Sequence, residues 1–202
     1  MCSPSSPIDR RPTESGGPSG KLFVVSGPSG AGKGTVVRRV LEARPDIHLS
    51  VSATTRPARP GERNGQHYTF IPVPEFVAMR DRGDFLESAE VYGNLYGTPR
   101  AQVEAALAEG RDVICELDIQ GALSVKRARP DAILVFIEPP SLDDLFLRLR
   151  GRGTEDREMM SRRLRAAYDE VKNKNHYDHI VVNEDPARAA AELVRILEQA
   201  RR

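Results

Sequence analysis

Gly27-Pro28-Ser29-Gly30-Ala31-Gly32-Lys33 fits the pattern GxxxxGK, and its surroundings restrict what the chain can build. Ahead of it, Leu22 to Ser26 is a short apolar, β-branched run; behind it, Val36, Val37, Val40 and Leu41 recur at helical spacing. Strand, glycine-rich turn and helix in that order gather backbone N–H groups and the positive end of a helix dipole around one point, an arrangement that surrounds phosphate oxygens. Lys33 then reaches the β and γ groups, and the stretch from Gly27 through Gly34 and Thr35 becomes the contact segment. The alternative is a glycine-rich turn with a solvent-exposed lysine, and the strand-loop-helix context speaks against it. One position departs from the usual motif. The residue after the lysine, normally a Ser or Thr whose hydroxyl meets Mg²⁺, is Gly34, so magnesium is expected to be held through water or by another residue.

The rest of the chain repeats the strand and helix alternation. The first helix should stop before Pro45, and an extended segment follows at Leu49 to Thr54. Two apolar runs, Asp112 to Leu117 and Ala132 to Ile137, are each preceded by a helix-like stretch, Pro99 to Glu109 and Gly121 to Ala128. A last run, Ile180 to Asn183, precedes the amphipathic Pro186 to Ala200. This order implies an α/β fold with a parallel sheet covered by helices on both faces. Thr54 to Thr98 breaks the rhythm with a strand at Tyr68 to Ile71, a short helix near Pro74 to Arg82 and a strand around Phe85 to Val91, and reads as an inserted small subdomain. Arg148 to Arg165 is irregular and carries seven arginines against Glu155, Asp156 and Glu158, a local charge of +4, with Gly151 and Gly153 favouring mobility.

Length and charge narrow the function. A chain of 202 residues predicts one domain with insertions. Its 30 basic residues against 29 acidic ones leave no broad positive field for nonspecific nucleic-acid binding. The longest apolar run, Ala132 to Ile137, is far too short to span a bilayer. Residues 1 to 20, rich in Pro, Ser and Gly and without the zones of a secretory signal, are expected to be a disordered tail. With Cys2 in that tail and Cys115 inside an apolar run, a reduced, cytoplasmic setting is expected. His176 and His179 have no accompanying thiols and are not expected to bind metal.

Two further groups of residues carry chemistry. Pro57 and Pro60 force Arg56 and Arg59 out of the helical region. In polyproline geometry the two arginines lie on one side about 9 Å apart, where both can converge on one phosphate. Glu116 and Asp118 follow the strand ending at Cys115, at the carboxyl edge where doubly wound sheets place their ligands. A carboxylate there can orient magnesium-bound water or contact a nucleotide, while Asp118 can equally cap the next helix.

Taken together, several segments resemble the guanylate kinase family: SerGlyProSerGlyAlaGlyLys, SerAlaThrThrArgProAlaArgProGlyGlu, AsnGlyGlnHisTyrThrPhe, GlyAsnLeuTyrGlyThr, GluLeuAspIleGlnGly, GlyArgGlyThrGlu and ValValAsn. The match runs from about Lys21 to the C-terminus. The resemblance implies ATP and GMP as substrates, Mg²⁺ as cofactor, and no nucleic-acid or membrane partner. It implies that Arg56, Arg59, Tyr68 and Tyr96 hold the GMP phosphate, that Ser52, Glu87 and Thr98 read the guanine, and that Asp118 belongs to the same site. Arg152 and Arg163 fall in a mobile lid on the ATP phosphates, and Asn183 falls near the adenine. Lys33, Arg59, Arg152 and Arg163 then act on the transferring phosphoryl group, and Glu116 is the candidate for the metal, through water. The implied division is a core of 21–51, 99–147 and 170–202, a GMP-binding subdomain of 52–98 and a lid of 148–169. Guanine shows two adjacent donors, N1–H and the 2-amino group, which a carboxylate can accept together, while Ser52 and Thr98 hydroxyls can donate to O6. The family usually has an aromatic after this Glu, where Ser88 stands here. Lys-Gly-Thr resembles the adenylate kinase version of the loop, which keeps a kinase for another nucleoside monophosphate in view. A related non-catalytic module that binds phosphopeptides is the other alternative, although such modules typically lose the loop and the lid arginines that this chain keeps.

Overall fold

Strands covered on both faces read as unbroken apolar runs, and these runs form the central sheet. The computed structural model describes residues 19–91, 93–141, 143–145, 168 and 170–202. The expected tail, apart from its last two residues, and the whole arginine-rich segment 148–165, with Arg152 and Arg163, lie outside the described residues. Among the strands are β1 (Leu22–Ser26), β2 (His48–Leu49), β7 (Val113–Glu116), β8 (Ile133–Glu138) and β9 (His179–Val182), which form a parallel sheet in the order β2-β7-β1-β8-β9. The phosphate-loop strand β1 is thus central.

Alternate residues of these strands point to two cores. Leu22, Val24, Val113, Cys115, Leu134 and Phe136 face α3 (Arg100–Ala108) and α4 (Ile119–Ala128). Phe23, Val25, Ile114, Val135, Ile137 and Val181 face α1 (Lys33–Ala43) and α5 (Pro186–Gln199). The helix ends follow sequence signals. Asp118 caps α4 by accepting from the Gly121 N–H at 2.7 Å, and Asp185 caps α5 by accepting from Ala187 and Arg188, with Pro186 in the first turn.

The insertion forms a second, mixed sheet in the order β4-β3-β6-β5, from β3 (Ala53–Thr54), β4 (Thr69–Phe70), β5 (Phe85–Val91) and β6 (Asn94–Pro99), with α2 (Val73–Asp81) against it. Two details differ from the sequence expectation. The extended piece Leu49 to Thr54 divides between the two sheets, and β6 was not expected, because GlyAsnLeuTyrGlyThrPro has neither alternation nor a β-branched run. The second sheet has a small core of its own, Ala53, Phe76 and Phe85, in which the two phenyl rings stack with centroids 4.5 Å apart. No described helix is long and apolar enough to cross a membrane.

Because so few side chains fill that core, Phe76→Ala removes a large share of it. The expected loss is about 3 to 5 kcal/mol, measured by chemical denaturation. A loss under about 1 kcal/mol would mean that the second sheet is held by something other than this core.

Candidate active site

The phosphate loop joins the carboxyl end of β1 to α1, and three contacts fix its shape. Gly27 has φ +144°, and a Cβ there would stand 2.2 Å from the Ile137 carbonyl oxygen, so only glycine lets the loop lie against β8. The buried Asn183 amide donates to the Ala31 carbonyl at 2.7 Å from behind the loop. The Lys33 ammonium curls over the loop and donates to the carbonyls of Gly27 at 2.7 Å and Pro28 at 3.3 Å. In contrast to α4 and α5, helix α1 begins at Gly32 with no side-chain cap and no acid in its first turn, so its positive end keeps its charge.

Two carboxylates approach this loop. Glu116 pairs in register with Val25 at the end of β7, and a Cβ at Gly34 would meet its carboxylate oxygens at 3.5 and 3.6 Å. Its side chain is open to solvent on one side, but the protein atoms crowding the others raise its carboxyl, with Lys33 pulling it down. Glu170 was not expected from the sequence. It is desolvated, which raises its carboxyl, while Lys33 and the backbone N–H of Ser29 act the other way, so it stands against the loop from a segment 141 residues away in sequence.

The second sheet supplies the adjoining wall. Glu87 is 7% exposed and its Oε1 accepts from the Thr98 hydroxyl at 2.8 Å. Desolvation pushes its carboxyl up to about 7, Thr98 opposes the shift, and the charge of Asp118 adds to it. The start of α4 abuts the same group, since a Cβ at Gly121 would be 3.1 Å from Glu87 Oε2 and 3.2 Å from Asp118 Oδ1. A side chain at Gly121 would therefore press on both carboxylates, which would have to give by a few tenths of an ångström. Asp118 acts as the helix cap, with its carboxylate beside Glu87. The half-buried Ser52 lies where the chain passes between the sheets, and its carbonyl accepts from the Thr69 N–H at 2.9 Å.

Further along this wall Arg56 is 8% exposed and lies over the rings of Tyr68 and Phe70, with its carbon 5.0 and 5.6 Å from their centroids. Tyr68 meets Tyr96 edge to face at 5.9 Å. Burial raises the Tyr68 phenol and the Glu116 charge adds to that rise, which places Tyr68 within electrostatic reach of the phosphate-loop side. Glu62, the second acid missed in the sequence, grips the Arg56 guanidinium at 2.6 and 2.7 Å. Those bonds hold its carboxyl down at about 2 and raise the Arg56 guanidinium. Arg59 is exposed, unlike Arg56. The structure thus brings Lys33, Gly34 and Glu116 together, and Glu87, Thr98 and Asp118 together, and lines up Arg56, Tyr68 and Tyr96; Asn183 supports the loop from the back. Among the described residues no cluster of three or more His, Cys, Asp or Glu is set to hold a metal, and Cys115 is a buried thiol pushed up to about 12 by desolvation.

A family model for guanylate kinase matches residues 19–200. The guanylate kinase of Chromobacterium violaceum is 49% identical over 184 residues, covering 91% of this chain and 88% of its own. That of Symbiobacterium thermophilum is 50% identical over 180 residues, covering 89% and 85%. The crystal structure of guanylate kinase from Anaplasma phagocytophilum superposes with a TM-score of 0.75 at 34% identity, covering 91% of this chain and 87% of that one.

The Glu87 carboxyl gives a pH signature. Its folded value lies above its ordinary 4.5, so its contribution to stability is fully present below about pH 4.5 and is lost as pH rises through about 7. Glu87→Gln keeps the acceptor for Thr98 and removes the titration. Melting temperatures of the two proteins should therefore diverge in favour of the variant between about pH 5 and about pH 8. A constant difference across that interval would mean that the carboxyl is ionised throughout.

Proposed function

The chain belongs to the guanylate kinase family, and on that premise we propose how its residues divide the work of phosphorylating GMP to GDP with ATP. The observation that supports this reading best is a buried carboxylate, Glu87, held by Thr98 on the wall adjoining a lysine-charged phosphate loop. A buried carboxylate without a cation is costly, and two parallel donors offset that cost. Guanine N1–H and its 2-amino group are such a pair; adenine presents an acceptor at N1 and leaves Glu87 unsatisfied.

In this reading the ATP phosphates lie on the loop, where Gly27 to Thr35 surround them and Lys33 turns from the carbonyls of Gly27 and Pro28 to the phosphate oxygens. The GMP phosphate meets Arg56, Arg59, Tyr68 and Tyr96, and Ser52, Glu87, Thr98 and Asp118 surround its base. The Thr98 hydroxyl has a single hydrogen, and here it goes to Glu87. Thr98 accordingly orients the carboxylate, and donation to guanine O6 falls to Ser52. Transfer requires little covalent work from the protein; alignment of the two phosphates and stabilisation of spread charge dominate. Lys33, Arg59 and the lid residues Arg152 and Arg163 provide that charge. The insertion of 52–98 acts as the GMP-binding subdomain and 148–169 as the lid, and both close to keep water from accepting the phosphoryl group.

The residues at the loop suit Mg²⁺. Glu116 presents hard oxygens to solvent, and a Cβ at Gly34 would come no closer to them than 3.5 Å. Glu116 would hold the ion through water, and the ion supplies positive charge to the phosphates when bound. A buried, inert Cys115 suits a reduced cytoplasmic setting.

A coupled assay of ADP release with GMP, AMP, CMP and UMP tests the reading, with turnover expected for GMP. Glu87→Gln should lower kcat/KM for GMP by about 2 to 4 kcal/mol and shrink the preference over AMP, with KM for ATP unchanged. Full efficiency and full discrimination in the variant would assign base recognition elsewhere.

Gly34→Ser adds a hydroxyl beside Glu116 at a helical position with ordinary van der Waals room. Its magnesium titration at fixed ATP should reach half-maximal rate at a lower concentration than the parent chain. An unchanged midpoint would show that ATP, water and Glu116 already satisfy the metal.

A further inference from the structure

Arg56 carries five N–H donors in one plane. Nη1 donates to the Pro57 carbonyl at 2.8 Å and to Glu62 Oε2 at 2.7 Å, and Nη2 donates to Glu62 Oε1 at 2.6 Å. Three donors are thereby engaged, all on or beside the end of the guanidinium. The remaining two, Nε–H and the second Nη2–H, lie parallel along the other edge, a fork of the geometry a phosphate takes, and Tyr96 is a further side-chain hydrogen-bond partner of this guanidinium. The plane cannot turn freely, because Tyr68 and Phe70 pack against it and Pro57 and Glu62 tie its end. Glu62 is fixed in turn. Its Oε2 also accepts from the backbone N–H of Arg59 at 2.7 Å, and its own N–H donates to the Arg59 carbonyl at 3.0 Å, closing a turn through Gly61 at φ +86°.

We propose that Glu62 is a positioning residue for GMP: by holding the end of the Arg56 guanidinium and the backbone of Arg59 at once, it turns the other edge of Arg56, beside Tyr96, to the GMP phosphate and sets where Arg59 enters. This rests on the reading that Arg56 and Arg59 hold that phosphate. The geometry sets up two opposite expectations. If Glu62 only brings negative charge near the phosphate, or occupies its place, its removal strengthens GMP binding. If it aims the arginines, its removal weakens GMP binding and leaves the nucleoside part alone.

The test measures binding of GMP and of guanosine, with steady-state kinetics, for the full chain and for Arg56→Ala, Glu62→Gln and Glu62→Asp. Arg56→Ala examines the underlying reading by itself: lost GMP affinity with intact guanosine affinity upholds it, and unchanged GMP affinity removes it whatever Glu62 does. With that reading upheld, Glu62→Gln should raise Kd and KM for GMP about 10- to 100-fold, the range for one charge-assisted bond, with kcat and guanosine affinity changed far less. Glu62→Asp, which keeps the charge and can still meet one of the donors, should recover part of the loss and guards against a Gln variant that does not fold. Unchanged or tighter GMP binding in Glu62→Gln overturns the proposal, and so does an equal loss for GMP and guanosine, which would mean a merely structural ion pair.

Discussion

Backbone amides gathered around a point hold an anion only while the loop that carries them is kept from collapsing or rotating away, and much of this molecule serves that constraint. The loop is pressed against β8 at Gly27, pulled from behind by Asn183 on the strand-to-helix connection after β9, and bridged from within by Lys33. The first two anchors come from distant parts of the chain, and they reach the loop because β8 and then β9 lie parallel to β1 in the same sheet. A parallel sheet puts every carboxyl end on one edge, so residues far apart in sequence, such as Ser29, Glu116 and Glu170, come to one place. An antiparallel sheet would have scattered them.

The acids around this edge show how environment divides one chemistry into several roles. Glu62 has a guanidinium against it and stays ionised far into acid, which suits a group that orients a cation. Glu87 is met by the hydroxyl and the backbone N–H of Thr98 and, among the described residues, by no cation, so burial still pushes its carboxyl up to about 7 until further donors arrive. On the proposed reading, in which guanine brings those donors, base recognition and ionisation of Glu87 are linked: each favours the other. Glu116 remains open to solvent and near Lys33, the setting of a group that meets a hydrated cation rather than a base.

Much of this was legible in the sequence, and the parts that were not share a cause. The phosphate loop and the buried strands announce themselves because short-range pattern and structure coincide there: Leu22 to Val25 is apolar at every position because both faces of β1 are covered. Strand β6 is hidden in the sequence because a glycine, an asparagine and a proline mask its pairing with β5, and Leu49 to Thr54 reads as continuous because nothing local marks a passage from one sheet to another. Glu170 and Gly121 gain their meaning from partners in distant segments, Ser29 and Glu87, which no spacing rule reaches. Glu62 lies close in sequence to Arg56, yet the turn through Gly61 that brings them together follows no helical or strand period.

The position of Glu87 itself depends on an irregularity. In the pairing of β5 with β6, Phe85 stands opposite Pro99 and Glu87 opposite Thr98, so two steps along one strand match one along the other. In a regular strand, neighbours point to opposite faces, and Phe85 and Glu87 would share one. The bulge relaxes that rule, and three successive buried side chains find three surroundings: Phe85 enters the small core with Phe76, Leu86 joins the large core beneath α3 and α4, and Glu87 turns to Thr98 and the start of α4. Leu86 therefore anchors the inserted sheet to the large core at the residue next to Glu87.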